Sequence, residues 1–149
     1  MTVSSEQISD YLTQYAGSLT NFDAQSAAEL SSLPGTMVDD RFSGVLDSRE
    51  DMVQGLEQSY PLYQKLGLGA VDYEVLEEKH LSQALVLVGL RWIFLDSDGQ
   101  ELTDSTSYYL LRQEADRLRA CVCIETDAAE KLQALATARG VDLSSPTGE

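Results

Sequence analysis

Apolar residues recur at helical spacing along the first part of the chain. Between residues 5 and 20 one occurs every three or four positions, which is the spacing of a single helical face. These residues are Ile8, Tyr11, Leu12, Tyr15 and Leu19. The segment 21–23 breaks the pattern, and Asp23 or Asn21 can cap a second, short helix over residues 24–30.

A short extended region and a third helix are predicted next. Ser32-Leu33-Pro34-Gly35 is predicted to end the short helix, and residues 36–46 form one strand, or two short strands around Ser43-Gly44. Ser48, with Asp51 three residues later, resembles a capping box at the start of the third helix. The apolar stripe of that helix consists of Val53, Leu56, Tyr60 and Tyr63.

Beyond Gly67 the apolar pattern changes to the two-residue period of strands. Val71, Tyr73 and Val75 begin this alternation, and longer strands are predicted over residues 83–95, 102–112 and 118–125. Asp98-Gly99 is a strong hairpin turn. A last helix is predicted over residues 128–139. Helices followed by antiparallel strands indicate the α+β class.

Length and charge limit the kinds of partner. The 149 residues suit a single domain, placed at residues 1–143, with 144–149 as a disordered tail. A formal net charge of −15 repels phosphate backbones and anionic bilayers, so neither nucleic acid nor a membrane is expected as a partner. The first residues lack the basic and apolar regions of a signal peptide, and a cytoplasmic protein is expected. With His80 as the one histidine and no glycine-rich phosphate loop, neither a metal nor a cofactor is expected.

The order of these elements resembles the nuclear transport factor 2-like superfamily, which includes ketosteroid isomerase-like and SnoaL-like polyketide cyclase proteins. The similarity runs from about Ile8 to Ile124. The pieces that carry it are Asn21-Phe22-Asp23-Ala24, Val45-Leu46-Asp47-Ser48-Arg49-Glu50, Ala84 to Val88 leading to Arg91-Trp92, Asp98-Gly99, and Tyr108 to Arg112. The resemblance implies a cone-shaped half-barrel, in which a curved antiparallel sheet wraps helices and is open at one end, and which often dimerises through the sheet.

The resemblance also suggests candidate catalytic residues. Ketosteroid isomerase-like members use a carboxylate base and acidic hydrogen-bond donors in an apolar cavity. Tyr15 matches the place of a donor tyrosine, and Asp39 or Asp40 lies near the place of the base, with Asp40 as the working choice. The second acidic donor has no match, because the late strand reads Ser105-Thr106-Ser107 there. The alternative is that Tyr15 belongs to the core and Asp40 to a solvated strand end.

Aromatic residues are the candidates for a ligand pocket. We predict that Tyr60, Tyr63, Trp92 and Tyr108 line the cone, unless the aromatic side chains fill it completely. Strand alternation places Val86, Val88, Leu90, Trp92 and Phe94 on one face, with Arg91 on the other. The favoured function is binding of a small, largely apolar ligand by a homodimer that forms through the sheet. The alternatives are a small-molecule isomerase, cyclase or dehydratase, and a non-enzymatic protein-interaction module.

Overall fold

The computed structural model describes residues 3–141, which form helices first, then a sheet, then a closing helix. The helices are α1 (Ser5–Thr20), α2 (Ala24–Glu29), α3 (Arg49–Lys65) and α4 (Ala128–Arg139). The strands are β1 (Ser31–Val38), β2 (Ser43–Leu46), β3 (Ala70–His80), β4 (Leu85–Leu95), β5 (Glu101–Gln113) and β6 (Leu118–Glu125). The predicted tail at 144–149 lies outside the described residues.

Side-chain caps fix where the first three helices begin. Ser4 and Gln7 form a complete capping box at the start of α1. Asp23 accepts a hydrogen bond from the Ser26 amide at α2, and Ser48 accepts one from the Asp51 amide at α3. Both of these caps were predicted from the sequence, and they are confirmed.

The sheet has six strands in the order β2-β1-β6-β5-β4-β3. It is curved and unclosed, which confirms the α+β half-barrel prediction. Neighbouring strands are antiparallel except for β1 and β6, which run parallel. The parallel pair joins the hairpin of β1 and β2 to the long meander from β3 to β6.

The start of β1 differs from the sequence prediction. Ser32-Leu33-Pro34-Gly35 was predicted to end the short helix, with the strand region starting at residue 36, yet β1 begins at Ser31 and continues through this segment. Its register against β6 shifts between Ser31 and Thr36. Proline has no amide hydrogen to donate to a ladder, and an irregularity in the pairing is where a strand tolerates it. The predicted start of the strand was wrong, because proline and glycine were taken to break the strand and the pairing of Ser31 with Ala120 of β6 is not a local signal.

The two faces of the sheet have different environments. The inward face carries Val86, Val88, Leu90 and Trp92 of β4, all at most 3% exposed. Together with the apolar stripe of α1, they form the hydrophobic core. Cross-strand register places Tyr109 and Leu111 of β5 on the same inward face, opposite Val88 and Val86. No helix within residues 3–141 is long and apolar enough to cross a bilayer.

Candidate functional site

The concave side of the sheet encloses a cavity of about 300 Å³. α1, α3 and α4 close it together with the inward faces of β4, β5 and β6. The side chains that line it include Tyr15, Leu56, Ser59, Tyr63, Trp92, Phe94, Ser105, Tyr109, Glu125, Lys131, Leu132 and Leu135. A cavity at the lower end of the volume range of small-molecule sites, lined mainly by apolar side chains with a few polar groups, has the character of a ligand pocket.

Stacked aromatic rings form the deep wall of the cavity. The ring of Tyr15 stacks on Trp92 with centroids 5.3 Å apart, and it meets Tyr109 edge-on at 5.7 Å. The Trp92 indole nitrogen donates a hydrogen bond to the Tyr109 hydroxyl at 3.2 Å. Nearer α3, Tyr63 stacks on Phe94 at 6.0 Å. These contacts hold the rings in place along the cavity wall.

Glu125 contributes a carboxyl group to this apolar cavity. It is the last residue of β6, and its register partner is Ser107, which is fully buried. The Ser107 hydroxyl donates to Glu125 Oε2 at 2.7 Å. Burial raises the pKa of Glu125 above its ordinary range, and the Ser107 hydrogen bond opposes this shift only in part. A carboxyl whose pKa is raised by burial keeps its proton to a higher pH than an exposed glutamate does.

The same desolvation acts on the phenols around Glu125. Burial raises the pKa of Tyr15, Tyr63 and Tyr109, and the nearby Glu125 raises each of them further. These hydroxyl groups therefore remain protonated and can donate hydrogen bonds at neutral pH. The cavity combines these neutral donors with the titratable carboxyl group of Glu125.

Helix α4 forms the outer wall of the cavity. At its start, Asp127 accepts a hydrogen bond from the Thr106 amide at 2.8 Å, and Thr126 donates to the Thr106 carbonyl at 2.7 Å. One turn further on, Lys131 pairs with Asp104 of β5. At the far end, the Arg139 guanidinium lies against Gly67, just after α3. The helix therefore reaches from the sheet to the end of α3 and turns Leu132 and Leu135 into the cavity.

Three of the residues proposed from the sequence line this cavity. They are Tyr15, Tyr63 and Trp92. The catalytic role of Tyr15 and the ligand-binding role of Tyr63 and Trp92 stay predictions, but the fold brings all three residues to one cavity. Tyr63 is brought there by α3, which presents Leu56, Ser59 and Tyr63 at helical spacing to the same side.

The predicted place of Asp40 was wrong. It is exposed in the bend after β1 and does not line the cavity, so Tyr15 and Asp40 do not form a pair there. The reason is that β1 and β2 form a hairpin in which Val38 pairs with Ser43 and the Asp39 amide donates to the Phe42 carbonyl. Asp40 therefore lies in the turn between the two strands. Met37 is the β1 residue that lines the cavity instead.

Tyr60 and Tyr108 also lie elsewhere. Tyr60 is buried, but it packs edge-on against Phe22 at 5.2 Å, because it lies on the face of α3 that turns toward α2. Tyr108 pairs with Gly89 and Ile124 on the outward face of the sheet. Successive strand residues point to opposite faces, so its neighbour Tyr109 takes the inward place.

Glu125 is the cavity residue that the sequence analysis missed. The strand over residues 118–125 was predicted, and strand alternation places Glu125 on the same face as Cys123. What the sequence did not show was which face of β6 is inward, because a register shift against β5 falls between Leu110 and Leu111. Among residues 3–141, no cluster of three His, Cys, Asp or Glu side chains is arranged to hold a metal ion.

Comparison with known proteins identifies the family. The family model described as NTF2-like protein (DUF6841) matches residues 4–128. The chain belongs to this family. The NTF2-like match covers every element from α1 to β6 and ends at the first residue of α4. A comparison with curated proteins gives no match.

Solved structures share the NTF2-like fold at low sequence identity. An NTF2-like protein of unknown function from Shewanella oneidensis has a TM-score of 0.66 at 15% identity, over 82% of this chain and 98% of that one. A domain of unknown function with a cystatin-like fold from Nostoc punctiforme has a TM-score of 0.64 at 12% identity, over 95% and 91%. A ketosteroid isomerase-like protein from Erwinia carotovora atroseptica has a TM-score of 0.61 at 13% identity, over 81% and 93%. Similarity at this level establishes the fold, and the function has to be inferred from the residues of the site.

Proposed function

We propose that this NTF2-like domain binds a small, largely apolar ligand in the cavity between the sheet and α4. The observation that carries the proposal is the cavity of about 300 Å³ with its aromatic wall and the carboxyl group of Glu125. Rings held by mutual stacking offer apolar surface with little loss of conformational freedom on binding. Glu125 and the phenol hydroxyls supply the few polar groups that orient a ligand.

Native mass spectrometry of the purified protein tests this proposal. We expect the protein to carry a bound small molecule, or to take up added 4-phenyl-1-butanol, and to release the bound molecule on denaturation. Ser105→Phe is the matched variant, because Ser105 is 5% exposed, faces the cavity and would place a ring inside it. It should retain the fold, checked by its melting temperature, and lose the bound mass. Ligand-free protein that also takes up no added alcohol would contradict the proposal.

The second part of the proposal is a homodimer that forms through the outward face of the sheet. Leu87, Leu110 and Val122 are neighbours across β4, β5 and β6, and Tyr108 and Ile124 adjoin them. We call these five residues the outer patch. All are only partly buried, and none belongs to the core cluster. Arg91 with Asp104 and Arg112 with Glu114 form ion pairs on either side of the patch. An apolar centre with a charged border is the usual composition of a protein interface.

Light scattering after size exclusion tests the dimer. We expect twice the chain mass for the native protein and the chain mass for Leu110→Glu. Phe42→Glu is the control. Phe42 is 61% exposed, and its ring packs over Gly44, whose register partner is the inward-facing Met37, so Phe42 does not lie on the face that carries the outer patch. Two copies of charge −15 repel each other, so added salt should favour association. A monomer at all concentrations would contradict the dimer and would leave the outer patch for a different protein partner.

Acid–base catalysis is a second candidate activity of the same cavity, and the carboxyl of Glu125 favours it. A carboxyl group with a raised pKa beside neutral phenols can move a proton to or from a ligand, as an isomerase, cyclase or dehydratase requires. Glu125 then takes the role that the sequence analysis gave to Asp40. Once a ligand is known, its turnover by the native protein and by Glu125→Gln decides between binding and catalysis. Equal conversion by both proteins would remove the catalytic role.

A further inference from the structure

We propose that the cavity is selective for a hydrophobic amine, whose protonated nitrogen meets the Glu125 carboxylate while its apolar body packs against the aromatic wall. This inference rests on the proposed function, since it names the chemistry of the ligand for the same cavity. It is carried by three observations: the position of Glu125, the aromatic rings around it, and the distribution of charge.

Glu125 is an acid without a positive partner among the described residues. Its one side-chain hydrogen bond is with Ser107. Lys131 is the cation that lines the cavity, and its amine pairs with Asp104, which also accepts from Arg91. A carboxylate removed from water gains most from a positive group that enters beside it. A ligand with a positive group would bring this charge into the cavity.

The groups that face Glu125 from the surrounding elements are neutral or acidic. They are Tyr15 of α1, Tyr63 of α3, Ser107 and Tyr109 of β5, Cys123 of β6, and Asp39 and Asp127 in the neighbouring loops. Asp39 and Asp127 both oppose ionisation of Glu125. Burial raises the pKa of Cys123 to about 12, so this thiol adds no charge at neutral pH. A bound cation would relieve the repulsion among these carboxylates, and an anionic ligand would increase it.

The aromatic wall is suited to a cation as well as to an apolar group. The faces of Trp and Tyr rings attract ammonium groups, and the attraction grows when water is excluded. Tyr15, Trp92 and Tyr109 form such a cluster on the cavity wall. The net charge of −15 also concentrates cations around the protein. A neutral ligand with a carbonyl group would use the aromatic wall equally well, but it would leave the carboxylate without a counter-charge.

Calorimetric titration with two probes of equal size tests the inference. The probes are 4-phenylbutylamine and 4-phenyl-1-butanol, which differ in the amine and hydroxyl groups. For the native protein at about pH 8, where amines of this kind are charged, we expect the amine to bind roughly tenfold more tightly, as one charge-assisted hydrogen bond provides. In Glu125→Gln the two affinities should become equal. The preference should also decrease as the pH falls and Glu125 gains its proton.

The outcomes separate this inference from the proposed function. Equal binding of both probes to the native protein would overturn amine selectivity and leave ligand binding intact. A preference that persists in Glu125→Gln would overturn the role of Glu125. Absence of binding by both probes would contradict the proposed function itself. Ser105→Phe is the control for binding outside the cavity, and it should abolish the heat from both probes.

Discussion

Removal of the Ser107 hydroxyl provides a direct test of the environment assigned to Glu125. Ser107 is 0% exposed, and its hydroxyl donates to Glu125 Oε2 at 2.7 Å. The loss of this bond in Ser107→Ala should cost about 1 kcal/mol while the carboxyl is protonated, and about 1.5 to 3 kcal/mol once it is ionised. For a chain of this length, each 1 kcal/mol corresponds to roughly 2 to 4 °C in melting temperature.

The sign of the pH dependence follows from the raised pKa. Burial raises the pKa of Glu125 in the folded protein above its value in the unfolded chain. The carboxyl therefore favours folding most when it is protonated, below the unfolded pKa, and this contribution is lost as the pH rises through the folded pKa. In Ser107→Ala the folded pKa rises further, so the loss with pH should become steeper. In Glu125→Gln this part of the pH dependence should disappear.

Thermal unfolding from about pH 4.5 to about pH 8.5 measures both effects, since this range begins near the ordinary pKa of glutamate. The difference in melting temperature between native protein and Ser107→Ala should grow toward the alkaline end. Ser105→Ala is the control, because Ser105 is 5% exposed on the same face but has no hydrogen bond to Glu125. A difference that stays constant with pH, or one that Ser105→Ala reproduces, would refute this account of Glu125.

Two further pairs of variants test the packing around the site. The hydroxyl of Tyr60 is buried without a hydrogen-bond partner in the described chain, whereas that of Tyr11 donates to a backbone carbonyl at 2.8 Å. In urea unfolding, Tyr60→Phe should leave the free energy of unfolding unchanged or raise it, and Tyr11→Phe should lower it by about 1 to 3 kcal/mol. A larger loss of stability in Tyr60→Phe than in Tyr11→Phe would contradict these two assignments. A Cβ on Gly69 would lie 2.7 Å from the backbone of Asp96, so Gly69→Ala should cost roughly 1 to 3 kcal/mol. Gly17 lies within α1 with open space around it, so Gly17→Ala should stabilise the protein by about 1 kcal/mol. If Gly17→Ala and Gly69→Ala changed the free energy of unfolding equally, the close approach at Gly69 would be contradicted.

Periodicity was enough to predict most of the fold. The stripe from Ile8 to Leu19 and the caps at Asp23 and Ser48 are local signals, and they gave α1, α2 and α3 nearly to the residue. The alternation in β4 also gave the correct inward face, because the apolar side chains on that face are core residues. These signals act within a few residues of each other and need no knowledge of neighbouring strands.

The candidate site depended on register, which is not local. Tyr108 and Tyr109 are adjacent residues of one predicted strand, and the pairing of Tyr109 with Val88 decides which of them faces the cavity. The same holds for Glu125, whose face is fixed by its pairing with Ser107 after an irregularity in the ladder. Asp40 was misplaced because β1 turns back onto β2, with Val38 paired to Ser43, and leaves Asp40 in the turn. A shift of one residue reverses the face of every side chain that follows it.

Fluorescence of Trp92 gives the most direct test that the cavity is a ligand site. Trp92 is the chain's single tryptophan, and its ring lines the cavity, so all tryptophan emission comes from this one position on the cavity wall. Titration with 4-phenyl-1-butanol, which does not absorb at the excitation wavelength of tryptophan, should produce a saturable change in emission. The change should be absent in Ser105→Phe. An emission spectrum of the native protein that does not change up to the solubility limit of the alcohol would contradict ligand binding in this cavity.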